Sequence, residues 1–217
     1  MRSILITGTD TGVGKTFITY NIALTLKEKN IRVGYFKPVE TGVENIPQDG
    51  NLLAKVTGQE LAEVVPFRYR KPLSPYAAQL EGEQEINIKT LHQKYDSLKE
   101  KYEILLVEGA GGIAVPLKRN YTYADLAKDW QLEVIVVARA GLGTLNHTFL
   151  TVFYARNLGL NLKGIVLNGF EGKDPSEKMN PLIVEEMTGF KPVCISKTNS
   201  LVLSKTQREL LLELIGF

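Results

Sequence analysis

The nine residues from Gly8 to Thr16, GTDTGVGKT, carry the clearest chemistry in the chain. A glycine-rich turn that leads into a helix presents successive backbone N–H groups, and these can wrap a polyphosphate. Gly12 and Gly14 let the backbone approach a ligand with no side chain in the way. Lys15 would set its ammonium against the β- and γ-phosphates, and Thr16 would give its hydroxyl to Mg2+. The usual phosphate-loop pattern has four residues between its first Gly and the Gly-Lys pair, whereas five intervene in this chain, Thr9 to Val13. The extra residue enlarges the cradle and removes none of the binding groups. A plain strand-to-helix turn with an N-capping threonine is the alternative, but Gly-Val-Gly-Lys-Thr between an apolar stretch and a helix favours a phosphate site.

That loop needs a strand before it and a helix after it. ILIT (Ile4–Thr7) predicts the strand, and residues Thr16 to Lys29 predict the helix. Further strands are predicted at Ile31–Lys37, Glu103–Gly109, Glu133–Arg139, Leu162–Asn168 and Lys191–Ser196. Their nearly continuous apolar runs suit strands buried on both faces. Ile88, Leu91, Tyr95 and Leu98 recur as one helix face requires, and Leu145–Leu158 and Ser176–Met187 are further helices. Such alternation predicts an α/β fold of the P-loop NTPase type, with a mostly parallel sheet flanked by helices on both faces. A single domain over residues 1–217 is expected. The proline-rich stretch from Glu40 to Glu85 reads as an elaborated connection across the top of the sheet. In such sheets ligands bind at the carboxyl ends of the strands.

Composition excludes several classes. A formal charge of +2 with basic residues spread along the chain gives no footprint for nucleic acid. Cys194 is the lone cysteine, so no intrachain disulfide and no cysteine-built zinc site can form. MRSILITG is too short for a secretory signal, and no stretch approaches the roughly 20 apolar residues that span a bilayer. The expectation is a cytoplasmic protein without a membrane partner.

TGTDTGVGKT does not stand alone. With GYFKPVETG (Gly34–Gly42), VEGAGGIAVPL (Val107–Leu117), GLGTLNHTFLT (Gly141–Thr151) and IVLN (Ile165–Asn168), the chain resembles the dethiobiotin synthetases over most of its length to about Asn168. The resemblance implies a Mg-ATP-dependent ring closure. The diamine 7,8-diaminononanoate takes up CO2 as a carbamate, ATP phosphorylates it to a mixed anhydride, and the second amine displaces phosphate to close a cyclic urea. ATP is a co-substrate and Mg2+ the cofactor.

The resemblance also implies roles. Lys15 and Lys37 supply cations around the transferred phosphoryl group, with Thr11 between phosphate and substrate. Gly12, Val13, Gly14, Lys15, Thr16 and Phe17, with Glu108, hold the nucleotide, and Asn168 contacts its base. Thr16, Asp49 and Glu108 match the metal positions, a hard-oxygen set of the kind Mg2+ prefers. Thr41, Thr11, Gly111 and Gly112 approach the diamine. The substrate carboxylate meets the helix start at Leu142, Gly143 and Asn146, contributed in the family by a neighbouring subunit, so a homodimer is expected.

Read without the family, several of these residues have plainer explanations. Lys37 before Pro38 could be a surface lysine closing a strand, and Asp49 before Gly50 could be a loop residue that forms a turn. Glu108 could salt-bridge locally, although a carboxylate between LLV and GAGG is awkwardly placed for that. Thr144 could simply cap its helix. His92 and His147 read as packing or hydrogen-bonding residues. Past Asn168 the family's Gly-Glu-Ile-Pro type segment is replaced by CISKTNSL (Cys194–Leu201), which points to a relaxed nucleotide preference. A ParA- or MinD-like ATPase switch is the competing class, with the C-terminal LSKTQRELLLELIGF as a membrane helix or, more simply, a helix packed on the sheet. A related amidoligase acting on another substrate is a third reading.

Overall fold

All six predicted apolar runs are strands, and their side chains alternate between two separate cores. Ile4 and Ile6 pack on one side of the sheet and Leu5 on the other; Leu106 and Val107, Val137 and Val136, and Val166 and Leu167 divide the same way. A strand buried on both faces leaves no room for the polar half of an alternating pattern. The computed structural model describes residues 1–217.

The chain runs through β1 (Arg2–Gly8), α1 (Lys15–Glu28) and β2 (Val33–Phe36), then β3 (Val39–Thr41), α2 (Gln48–Thr57), α3 (Leu61–Val64), β4 (Phe67–Tyr69) and α4 (Pro75–Leu80). It continues with α5 (Ile88–Lys99), β5 (Ile104–Gly112), β6 (Pro116–Lys118), β7 (Tyr121–Thr122), α6 (Tyr123–Asp129) and β8 (Glu133–Arg139). The last elements are α7 (Thr144–Asn157), β9 (Asn161–Phe170), α8 (Pro175–Thr188), β10 (Val193–Ser196) and α9 (Lys205–Leu214).

The central sheet has six strands in the order β10-β9-β8-β1-β5-β2, every neighbouring pair parallel. Strand β1 lies inside it, with Ile6 opposite Glu108 of β5 and Gly8 opposite Val137 of β8. The loop after β1 therefore opens beside the carboxyl ends of both neighbours. Helices α1, α2 and α9 cover one face through residues such as Ile22, Leu53 and Leu211; α5, α6, α7 and α8 cover the other through Leu91, Leu126, Val152 and Val184.

The connection from Glu40 to Glu85 is more structured than its sequence suggests. It holds α2, α3, α4 and a two-stranded parallel sheet, β3 with β4, and Phe67, Tyr69 and Ala78 join the same core as Leu5. A second small sheet, antiparallel β6–β7, was not anticipated either. Strands of two or three residues are too short for periodicity to mark.

The C-terminal segment takes the simpler of its two readings. Leu211, Leu212 and Ile215 of the α9 region are buried in the core that contains Ile22 and Leu26 of α1. The Asn21 side chain donates to the Leu201 carbonyl at 3.1 Å and accepts from the Leu203 N–H at 2.9 Å, which fixes the approach to α9. No helix is long and apolar enough to cross a membrane.

Candidate active site

The phosphate loop is held open by its glycines. Gly12 and Gly14 have φ of 70° and 98°, left-handed values that side chains rarely adopt, and Gly14 is the N-cap of α1. A Cβ on Gly14 would also lie 2.1 Å from the Asn168 amide nitrogen. Lys15 opens the helix, is buried, and donates to the Asp10 carbonyl at 3.1 Å across the loop. Burial lowers the Lys15 pKa, a shift that Glu108 opposes and Lys37 reinforces. Arg139, at the end of β8, braces the loop from outside: it donates to the Thr11 carbonyl at 2.9 Å and lies 3.4 Å from the Asp10 carboxylate.

Next to the loop, two carboxylates and a lysine converge. Glu108 is fully buried at the middle of β5, which continues past it to Gly112 rather than ending at Gly109. Its Oε1 accepts from the Thr16 hydroxyl at 2.7 Å and from Lys37 Nζ at 3.0 Å. Lys37 Nζ also donates to Asp49. Lys37 is 5% exposed, so the surface-lysine reading is wrong. Burial alone would depress its pKa, but the adjacent Glu108 and Asp49 outweigh that and hold it well above the ordinary lysine value. Asp49 is not in a loop, as its sequence suggested, but in the first turn of α2, and Gly50 after it is helical rather than part of a turn. Glu108 and Asp49 both reach the Lys37 ammonium and the Thr16 hydroxyl joins them through Glu108, an all-oxygen donor set whose chemistry also suits Mg2+.

These residues line a cleft of 650 Å³ that also takes in Thr11, Phe17, Thr41 and Gly111. Leu73, Ser74 and Pro75, ahead of and at the start of α4, also line it and carried no signal of a site in the sequence. Other expected residues stand apart. Val13 packs its side chain into the core and offers only its backbone. Gly112 lies against β1, where a Cβ would meet the Gly8 carbonyl at 3.1 Å. Asn168 donates to the Val13 carbonyl at 2.9 Å and supports the phosphate loop from behind.

Leu142, Gly143 and Asn146 do not line this cleft. Gly143, with φ of 90°, is the N-cap of α7, and Leu142 is 89% exposed. Thr144 does not cap: it is the first helical residue, and its hydroxyl pairs with that of Thr148 at 3.2 Å. Leu150 and Phe153 of α7 and Met179 and Leu182 of the adjacent α8 are exposed as well. His92 accepts from the Trp130 indole N–H at 2.7 Å, away from the cleft, and His147 is exposed.

Sequence reading missed two polar side chains. Tyr35, fully buried, donates its hydroxyl to Glu108 Oε2 at 3.1 Å. Glu40, 6% exposed, accepts from the backbone N–H groups of Asp49 at 3.1 Å and Gly50 at 2.9 Å. Tyr35 looked like one more apolar strand residue; Glu40 was visible only as the acidic position in KPVET.

A glycine-braced loop between the central strand and its helix, at the carboxyl edge of a parallel sheet, defines a P-loop nucleotide-binding α/β protein. Solved structures share this fold: a ParA family ATPase from Chlorobium tepidum TLS, at 12% identity and a TM-score of 0.61 with 97% of each chain covered, and a cell division ATPase MinD from Pyrococcus furiosus, at 18% and 0.60 with 99% of this chain and 98% of that one covered. A family model described as an AAA domain matches residues 2–211. Sequence relatives are more specific. An ATP-dependent dethiobiotin synthetase of Aquifex aeolicus (strain VF5) is 58% identical over 205 residues, 94% of this chain and 93% of the relative. Its counterpart in Bacillus subtilis (strain 168) is 42% identical over 195 residues, 87% and 84% of the two chains. The chain belongs to the dethiobiotin synthetase family, the ATP-dependent ligases of biotin biosynthesis.

Proposed function

We propose that the cleft closes the cyclic urea of dethiobiotin from 7,8-diaminononanoate, CO2 and ATP. The observation that carries this reading is the position of Lys37: a buried ammonium joined through Glu108 to the Thr16 hydroxyl of the phosphate loop. One amine of the substrate adds to CO2 and loses a proton, giving a carbamate. A carbamate oxygen attacks the γ-phosphorus of ATP and expels ADP, which leaves a carbamic-phosphoric anhydride. The second amine attacks the carbonyl carbon, the C–O bond to phosphate breaks, and the amine proton leaves with solvent.

Each step asks for charge held in place rather than for a covalent protein intermediate. Lys15 and the backbone N–H groups of Gly12, Val13, Gly14 and Thr16 would bind the phosphates. Lys37 would neutralise the carbamate and the transferring phosphoryl oxygens. Thr16, Asp49 and Glu108 would hold Mg2+, which when bound draws negative charge from the β- and γ-phosphates. Thr11, Thr41 and Gly111 would line the diamine. The start of α7, at Leu142, Gly143 and Asn146, would serve a second copy of the chain by meeting its substrate carboxylate; the exposed apolar residues of α7 and α8 support such a homodimer. We place the reaction in the cytoplasm, where ATP is at hand and the Cys194 thiol stays reduced.

Incubation with labelled bicarbonate, Mg-ATP and 7,8-diaminononanoate tests the proposal. Acid-stable label in a cyclic urea is expected, and Lys15→Ala is expected to abolish it with the far-UV spectrum unchanged. A folded, ATP-binding protein that fixes no label would refute the reading.

A further inference from the structure

Two buried polar side chains flank Lys37 in sequence, and the reaction as described uses neither. Tyr35 lies two residues before it and Glu40 three after. Each contacts one of the two acidic residues that Lys37 bridges, Tyr35 the side chain of Glu108 and Glu40 the backbone of Asp49.

Tyr35 acts on Glu108. Its hydroxyl takes Oε2, so Oε1 is the oxygen turned to Thr16 and Lys37. The tyrosine is itself fixed from the backbone. Strand β2 is the edge of the sheet, and the Gln59 side chain stands where a further strand would be: its Oε1 accepts from the Tyr35 N–H at 2.6 Å, and its Nε2 donates to the Tyr35 carbonyl at 3.2 Å. A phenol locked at both ends of its residue leaves the carboxylate little freedom to rotate.

Glu40 acts on Asp49. Helix α2 begins after Pro47, which offers no side-chain cap. Glu40 caps it from β3 instead, with one carboxylate oxygen on each of the first-turn N–H groups of Asp49 and Gly50. Gly50 is part of the fit, because a Cβ there would come within 2.2 Å of Val65 Cγ2 and 3.3 Å of Glu40 Oε2. A carboxylate at 6% exposure with two charge-assisted hydrogen bonds fixes a helix start rigidly. The Asp49 side chain that leaves this turn reaches Lys37.

We propose that Tyr35 and Glu40 are positioning residues for the divalent-cation site: Tyr35 sets the rotation of the Glu108 carboxylate, and Glu40 fixes the helical turn that aims Asp49. The six residues from Tyr35 to Glu40 thus hold both carboxylates and supply the lysine between them. This rests on the reading that Asp49 and Glu108 hold the cation.

The test uses Mn2+ in place of Mg2+, with the full chain and a non-hydrolysable ATP analogue, and follows the electron paramagnetic resonance signal of free Mn2+. Tyr35→Phe, which keeps the ring, and Glu40→Ala are each expected to weaken Mn2+ binding about tenfold or more, as loss of an outer-shell partner does. Affinity for the analogue without metal is expected to stay unchanged. Glu40→Gln keeps an acceptor oxygen for one N–H and is expected to restore part of the Mn2+ affinity, which a general loss of stability would not explain. Unchanged Mn2+ affinity in Tyr35→Phe and Glu40→Ala, with Asp49→Asn weakened, overturns the positioning roles alone. Unchanged affinity in Asp49→Asn and Glu108→Gln as well overturns the cation site itself and the proposal with it. Should Glu40→Ala fail to fold, Glu40→Gln reads the Glu40 role, with weakened Mn2+ binding expected and parent affinity overturning it, while Tyr35→Phe reads the Tyr35 role.

Discussion

Replacing Lys37 by methionine removes the cation from a fully buried carboxylate while keeping most of the side chain's volume. At 3.0 Å from Glu108, Lys37 attracts it by about 5 kcal/mol at an effective dielectric constant near 20. Most of that offsets the cost of taking both ions out of water, so the pair as a whole adds little net stability. Losing one partner is different, because the other stays buried. Glu108 would keep the hydroxyls of Tyr35 and Thr16, each worth about 1.5–3 kcal/mol to a charged acceptor, and the field of the Lys15 ammonium, but no cation in contact. Lys37→Met is therefore expected to cost ~3 kcal/mol. Glu108→Gln should cost less, since Lys37 still has Asp49, whose side chain is 39% exposed. The double variant buries no unpaired charge from this couple and should recover about 2 kcal/mol relative to the sum of the singles. Urea unfolding without nucleotide or divalent metal reads this as a midpoint shift of about 1 M for Lys37→Met at unchanged slope. A loss below 1 kcal/mol in Lys37→Met, or strictly additive singles, would show that the two charges are not coupled as described.

Gly14→Ala combines a φ of 98° with a clash on the Asn168 amide, and is expected to cost about 1–3 kcal/mol and weaken ATP binding; adding Asn168→Ala should relieve the clash and leave the backbone strain, as calorimetry of both variants would reveal. Burial holds the Lys15 pKa below its unfolded value, so the folded chain carries fewer protons in the window between the two, and stability rises with pH there. The parent is accordingly expected to gain on Lys15→Met as pH is raised from 7 towards 10 in urea titrations; a constant or widening deficit would contradict the lowered pKa. Turnover with ATP, GTP and CTP is expected to be of similar size, because Asn168 is engaged by the Val13 carbonyl and CISKTNSL departs from the family's segment; a strict requirement for ATP would refute this.

The framework was legible because it is written locally. Glu133–Arg139 is a strand with the bounds its sequence predicts, and α1, α5, α7 and α8 follow the helical periodicities to within a residue or so. The glycine loop was legible for the same reason, since strand, turn and helix adjoin in sequence. The carboxylate site was only half legible. Glu108 announced itself as a charge inside an apolar run, but nothing near Lys37 says that a carboxylate 71 residues away meets its ammonium in the interior. Asp49 before a glycine has the look of a turn, and only the remote Glu40 cap and the close packing of Gly50 on Val65 make that stretch a helix. Tyr35 was hidden by its neighbours: in a strand buried on both faces a tyrosine passes for core, and its hydroxyl gains meaning only once β5 lies beside β2.

A crystal structure with a non-hydrolysable ATP analogue, Mg2+ and the diamine tests the central claim most directly. Lys37 Nζ is expected at hydrogen-bonding distance, about 3 Å, from a γ-phosphate oxygen, with Glu108 and Asp49 facing the metal beside it. A γ-phosphate bound by Lys15 while Lys37 and Glu108 remain turned away from it would contradict the account.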